Sequence, residues 1–235
     1  MKPKPSKIWS VLCSLVLALF LFSAAVAAPI LCRGFYYVQI GGLGLPAQTG
    51  WSEETIRGAF DGVMDYLVKD APFGTGELKW SESGMEHFAD CKVLFQLDFK
   101  VLGVTAAVLL ALVLLKCFHK IDFHRFCRRG PCFWAAVGIG AVFAGLVVWG
   151  FVSFDSLFVA FHTVFFPGKV NWLFDPATDE IIRILPDVFF ARCGLLVVGL
   201  SLGGGVVLAV VEAVLTSRRS GSAQVRTLGR KEHAG

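Results

Sequence analysis

The chain has 235 residues, 55% of them hydrophobic and only 17% charged, with a formal net charge of +4. An ordinary soluble domain is less apolar and more charged than this, so a water-soluble globule is excluded and an integral membrane protein is indicated.

Four stretches contain no Asp, Glu, Lys or Arg: 8–32, 101–115, 130–154 and 193–211. A hydrocarbon core of roughly 30 Å takes about 20 helical residues to cross. Three of the stretches suffice outright. The second becomes long enough when Lys100 and Lys116 snorkel and Phe99 and Phe118 extend its apolar body. The pattern predicts an all-α fold: a bundle of four transmembrane helices over about 8–31, 99–118, 131–154 and 192–211. Residues 1–217 are expected to form one membrane domain, followed by a cytoplasmic tail, 218–235.

The first stretch, after Lys2, Lys4 and Lys7 and ending in Ala25-Val26-Ala27, imitates a secretory signal. Its uncharged run is longer than a signal-peptide core and Pro29 follows the apparent cut, so a retained helix is expected. A lipoprotein signal at Cys32 would need a small residue where Leu31 stands.

An insertion, 32–98, follows. Ser52 with Glu53 and Glu54 has the form of a helix N-cap and acidic first turn, and Ile56, Phe60, Val63, Met64 and Leu67 recur at helical spacing. Pro72-Phe73-Gly74 should end that helix. A second helix is expected from about Ser83 towards the second span, with Phe88, Cys91, Phe95 and Phe99 as an apolar stripe and His87, Asp90 and Asp98 on a neighbouring face. The glycines 41–44 and 203–205 lack the context of a phosphate loop; a flexible entry and close helix packing account for them.

A helix running straight from Pro131 to Phe166 would measure about 54 Å, so the chain must bend near Asp155. In 155–191 Pro167-Gly168 should break the helix, and Asp175-Pro176 should start a short helix through Ile181, Ile182 and Leu185. Its aromatic content suits a loop lying in the membrane interface.

Thirteen of the 22 Lys and Arg fall in 1–7, 116–129 and 212–235, against three of the 18 acidic residues. Basic residues mark the cytoplasmic side. Both termini are therefore expected in the cytoplasm, and the acidic segments 33–100 and 155–192 outside.

Of the five histidines, His119, His124 and His233 belong to the basic segments; His87 and His162 are the two expected outside. Either could be an interfacial anchor or a satisfied core residue. Two on one side, at an unperturbed pKa near 6.5, suit proton transfer. His87 and Asp90, at i and i+3, fit a surface hydrogen bond or an imidazole oriented by a carboxylate. A metal held by His87, Asp90 and His162 lacks a recognisable ligand motif, and no cofactor is expected. Cys91 is better placed to pack than to attack, a Cys32–Cys91 disulfide is left open, and Arg192 is either an interface anchor or a cation for lipid.

Two segments carry a resemblance. SESGMEHFADCKVLF, residues 81–95, and the set Phe161-His162, Phe165-Phe166, Trp172, Asp175-Pro176, Ile181-Ile182, Pro186 and Phe189-Phe190 are similar to motifs of the lipoprotein intramolecular transacylases, a bacterial four-span family. Phe88 stands where the family has Met and Cys91 where it usually has Val; both keep the stripe apolar. The resemblance implies an acyltransferase of the bacterial cytoplasmic membrane, moving a chain from the glycerol sn-2 oxygen to the N-terminal amine of diacylglyceryl-cysteine lipoproteins. It carries the family's two motif histidines onto His87 and His162, and Asp90 with them. An acid and a base are needed for that transfer, with Asp90 orienting His87 and Arg192, Asn171 or Trp172 touching the oxyanion or lipid. Diacylglyceryl-modified lipoproteins and membrane lipid are the expected partners, and nucleic acid is not. Two other readings are a membrane lipid hydrolase, possibly metal-dependent, and a four-helix membrane scaffold without catalysis.

Overall fold

The structure is a computed structural model that describes residues 3–232, with 218–232 described as backbone only; the side chains of the tail 218–235, His233 included, lie outside the described residues. The elements run β1 (Pro5–Ser6), α1 (Lys7–Leu31), α2 (Arg33–Tyr37), α3 (Leu45–Thr49), α4 (Glu53–Lys69), α5 (Glu82–Cys117), β2 (Asp122–Phe123), α6 (Pro131–Val152), α7 (Phe154–Phe165), a 3-10 turn (Glu180–Arg183) and α8 (Asp187–Glu232). Four helices are long and apolar enough to cross a membrane: Lys7–Leu31, Glu82–Cys117, Pro131–Val152 and, within α8, Asp187–Ser217. The fold is all-α apart from one parallel pairing of two-residue strands, β1 with β2.

Two of the helices that carry spans begin before the expected spans, at Glu82 and Asp187. The helix expected to lead into the second span is continuous with it, so α5 has 36 residues, about 54 Å at the helical rise. Neither glycine nor proline interrupts 85–102, and nothing there gives the chain cause to stop. The bend after α6 comes where the length limit demands. Ser153 breaks the run in an extended conformation and its side chain accepts a hydrogen bond from Ser156 N, capping α7. The helix expected after Asp175-Pro176 forms as turns and a 3-10 segment instead. Asp175 Oδ1 accepts from Ala177 N at 2.9 Å, a local turn that competes with helix.

The chain divides into two compact units, one of 1–21, 104–143 and 200–235, the other of 22–103 and 144–199. In the first, the basic loop is tied to α8. Glu212, buried, accepts from Arg125 at 2.7 Å and from Gly130 N at 2.9 Å. Of the glycines 203–205, Gly204 packs closely, a Cβ there lying 2.9 Å from a Leu21 methyl, and Gly205 ordinarily, at 3.7 Å from Ala136 Cα, whereas a Cβ at Gly203 would meet nothing within 4 Å.

The second unit holds the larger core. Ile56, Ala59, Phe60, Val63, Met64 and Leu67 of α4 are all buried in it. The Ser52 cap forms as predicted, accepting from Thr55 N at 3.0 Å. The helix closes earlier than the proline, at Asp70, in the left-handed region. Tyr36 stacks on Phe60 at 3.9 Å and donates its hydroxyl to Ile184 O at 2.9 Å. Arg33 bonds Asp61 at 2.9 Å and also bonds Asp65, fastening α2 to α4. Arg33 and Lys69 hold the Asp65 carboxyl below its ordinary range. The glycines before α3 form an ordered turn: Gly44 takes φ 65°, which only a residue without a Cβ adopts freely.

Candidate active site

The second unit brings together the first turns of α5, the end of α7 and the loop that follows it. Ser81 caps α5, accepting from Gly84 N at 3.0 Å. Its backbone N–H and its hydroxyl both reach Asp179, at 2.8 and 2.9 Å. Lys79 and Glu180 add a second clamp: Lys79 N donates to the Glu180 carboxylate at 2.8 Å, and Glu180 N to Lys79 O at 3.0 Å. Asp179 is thus a buried carboxylate at a helix N-terminus, where the helix dipole favours it. This clasp fixes the 174–184 segment against the helix that carries His87. Gly84 has to be glycine for it, since a Cβ there would lie on the Asp179 carboxylate.

His87 and His162 face each other with ring centroids 5.8 Å apart, and are exposed to only 6% and 7%. Aromatic side chains wall them in. Phe166 meets both imidazoles, at 5.0 and 5.7 Å, and Phe174 lies edge-on to His87 at 5.4 Å. Trp172 stacks on His162 at 4.5 Å, and Phe158 lies 4.3 Å from it. Gly168, at φ 75°, turns the chain after α7 so that 169–174 can return over the pair.

The two rings differ in what they can do. His162 Nδ1 lies 2.8 Å from Phe158 O. A carbonyl oxygen only accepts, so Nδ1 carries the hydrogen and Nε2 keeps its lone pair in the neutral ring. Burial holds this imidazole below the ordinary histidine value, against the opposing effect of that carbonyl. His87 Nε2 lies 3.4 Å from the Cys91 sulfur, and its buried Nδ1 has no hydrogen bond. Asn171 stands beside it, with its own Oδ1 buried and without a hydrogen bond.

Asp90 does not bond His87. Asn171 Nδ2 donates to Asp90 Oδ2 at 3.1 Å and Lys169 donates to Oδ1. The i,i+3 spacing puts the carboxylate on the correct side of α5, but two donors from the 166–172 loop take it. Its charge still acts on the His87 imidazole, opposing the effect of burial. Trp172 is occupied in stacking, its indole N–H donating to Lys169 O at 3.1 Å. Arg192 lies apart from the pair as a partner of Gln39, at 3.2 Å. Cys32 and Cys91 are free thiols, Cys91 sitting against the core as a packing residue. Among the described residues no three His, Cys, Asp or Glu side chains group for a metal.

A cleft of about 220 Å3 shares Phe166 with the pair and is walled by Val93, Leu94, Phe165, Phe166 and Pro167, with Asp90 and Lys169 among its lining residues; neither histidine lines it. Lys169, Phe174 and Asp179 belong to the site without having stood out in the sequence. Of these, Lys169 carried a signal: it is the one cation in an aromatic stretch, two residues before Asn171.

The profile of the lipoprotein intramolecular transacylase Lit matches residues 11–190. Among solved structures, the membrane integral lipoprotein intramolecular transacylase Lit from Bacillus cereus is similar with a TM-score of 0.82 and 22% identity, covering 91% of this chain and 96% of that one. Two structures of the same Bacillus cereus protein with one histidine replaced also match. The arginine form has a TM-score of 0.76 over 92% of this chain and 93% of that one, and the alanine form 0.75 over 91% and 94%, both at 22% identity. At that identity the likeness shows the fold. No curated protein matches the sequence.

Proposed function

This chain belongs to the lipoprotein intramolecular transacylase family, acyl-transfer enzymes of the membrane, and from that premise we propose that it moves an acyl chain from the sn-2 glycerol ester to the N-terminal amine of a diacylglyceryl-cysteine lipoprotein. The observation that carries this is the facing pair of buried imidazoles, with a largely apolar cleft along their Phe166 neighbour's segment, 165–169.

The arriving amine is an ammonium and has two protons to lose. Burial and the neighbouring His162 push His87 down to about 4, so both imidazoles are neutral at pH 7 and the first proton goes to solvent. As the nitrogen attacks the ester carbonyl, His162 Nε2 takes the second, the C–N bond forms and the negative charge gathers on the former carbonyl oxygen. The C–O bond to glycerol then breaks as the histidine pair passes that proton to the departing oxygen, so atoms and charge balance. Amine and ester belong to one molecule, so a site that folds them together supplies proximity without an acyl-enzyme. Asn171, which donates to Asp90 and stands beside His87, is a positioning residue in this proposal.

The site faces the outer leaflet in this proposal, with both termini in the cytoplasm. Supporting this, the unit built from 1–21, 104–143 and 200–235 contains the basic loop with Arg125, Arg128 and Arg129, whereas the histidine pair belongs to the other. Labelling of Lys79 but not Lys120 in intact cells is the expected outcome, and the reverse overturns the orientation.

The deciding experiment expresses the protein in a bacterium that lacks N-acylating activity and analyses a lipoprotein's N-terminal lipopeptide by tandem mass spectrometry. An N-acyl, lyso-glyceryl product is expected. A free amine with both glycerol esters intact, despite membrane expression, sinks the proposal.

A further inference from the structure

Asp90 is the single carboxylate among the residues lining the cleft, and an ammonium already sits on it. Lys169 Nζ donates to Oδ1 while Asn171 Nδ2 holds Oδ2 at 3.1 Å. The two ends of the ion pair are unequally placed: the Lys169 side chain is 49% exposed and that of Asp90 22%. The lysine is therefore the outer, more mobile partner, on a stem of four methylenes, and the carboxylate is the fixed one.

An exposed lysine–carboxylate pair contributes little net stability, because solvation and side-chain entropy oppose the Coulomb gain. Exchange of one ammonium for another is correspondingly cheap. A lysine Nζ and the α-ammonium of an unmodified N-terminal residue are the same chemical group, with three donors and one positive charge. The remaining wall, Val93, Leu94, Phe165, Phe166 and Pro167, is apolar and suits acyl chains. On the inner side Asn171, which holds Asp90, stands beside His87, so an ammonium bound there stands near the histidine pair.

We propose that Asp90 is the seat of the substrate's N-terminal ammonium, and that Lys169 occupies it in the resting enzyme and swings away when the substrate arrives. This rests on the transacylase reading and adds to it the feature that recognises the substrate: a lipid bearing a free primary amine. Asp90 thereby discriminates against lipoproteins whose amine is already acylated, which are also the products, and favours their release.

The test uses two synthetic diacylglyceryl-cysteine peptides, one with a free amine and one with that amine acetylated, titrated against the full chain in detergent micelles. Wild type is expected to bind the free-amine peptide about tenfold more tightly, the scale of one charge-assisted hydrogen bond. Asp90→Asn should abolish the preference and leave the acetylated peptide's affinity unchanged. Lys169→Met, which removes the competitor, should tighten binding of the free-amine peptide alone. Equal binding of both peptides by wild type overturns the proposal, as does a preference that survives Asp90→Asn. Should Asp90→Asn fail to fold, the Lys169→Met result decides, and weaker or unchanged binding of the free-amine peptide then overturns it. Mass analysis of the wild-type mixture keeps the two readings apart. N-acyl product without amine preference retains the transacylase and removes the seat; preference without product does the opposite.

Discussion

His162 donates its Nδ1 hydrogen to the carbonyl of Phe158, one helical turn earlier, at 2.8 Å. That bond uses a helix carbonyl near the α7 C-terminus to choose the tautomer, and leaves Nε2 as the atom able to accept a proton.

With its folded value held below the ordinary 6.5 by burial, His162 is neutral at pH 7 and ready as a base. The acid limb of the activity profile should therefore lie below pH 6.5, with no loss between pH 6.5 and 8 attributable to this group. Stability follows the same sign. Above pH 6.5 folded and unfolded chains are both neutral here; as pH falls the unfolded chain takes the proton first, so stability drops towards acid and the loss is complete below the folded value. A pH–rate profile and thermal unfolding from pH 4 to 8 check both, and His162→Gln should weaken the acid dependence of stability.

Removing either imidazole deletes a proton-transfer group. His87→Ala and His162→Ala should each lower N-acylation by about 10²–10⁴-fold, and the double variant should be little worse than the poorer single, since the two act as one unit. Lipopeptide mass spectrometry at matched expression measures this. Activity surviving both substitutions would remove these residues from the chemistry.

Asn171→Ala should lower kcat by roughly tenfold with KM for the free-amine peptide changed less, because the imidazole loses its orienting neighbour while the Asp90 carboxylate remains. A KM effect without a kcat effect would reassign Asn171 to binding.

Gly84→Ala drives a methyl group onto the Asp179 carboxylate and within 3.1 Å of the Phe174 ring. A loss of about 1–3 kcal/mol is expected from this overpacking, read as a lower Tm in detergent. Activity should fall with it, because Phe174 packs on His87. A variant as stable and active as wild type would show that the clasp does not support the site.

The uncharged runs, the Ser52 cap, the break near Asp155 and the asymmetry of basic residues were all legible in the sequence, because each follows from a local rule: a length, a cap, a helix limit, a charge count. The histidines could be picked out the same way, by position relative to the apolar runs and by family motif. Their partners could not. Asp90 lies at the spacing that suits His87, yet Lys169 and Asn171, about 80 residues on, compete for it. Arg192 looked available and is held by Gln39, 153 residues away. Asp179 carried no motif at all, since its importance comes from meeting Ser81 across 98 residues. Spacing along a helix fixes which side chains share a face; which of them bond depends on what the fold brings to that face, and here a glycine turn at Gly168 brings a lysine, an asparagine and a tryptophan onto two histidines.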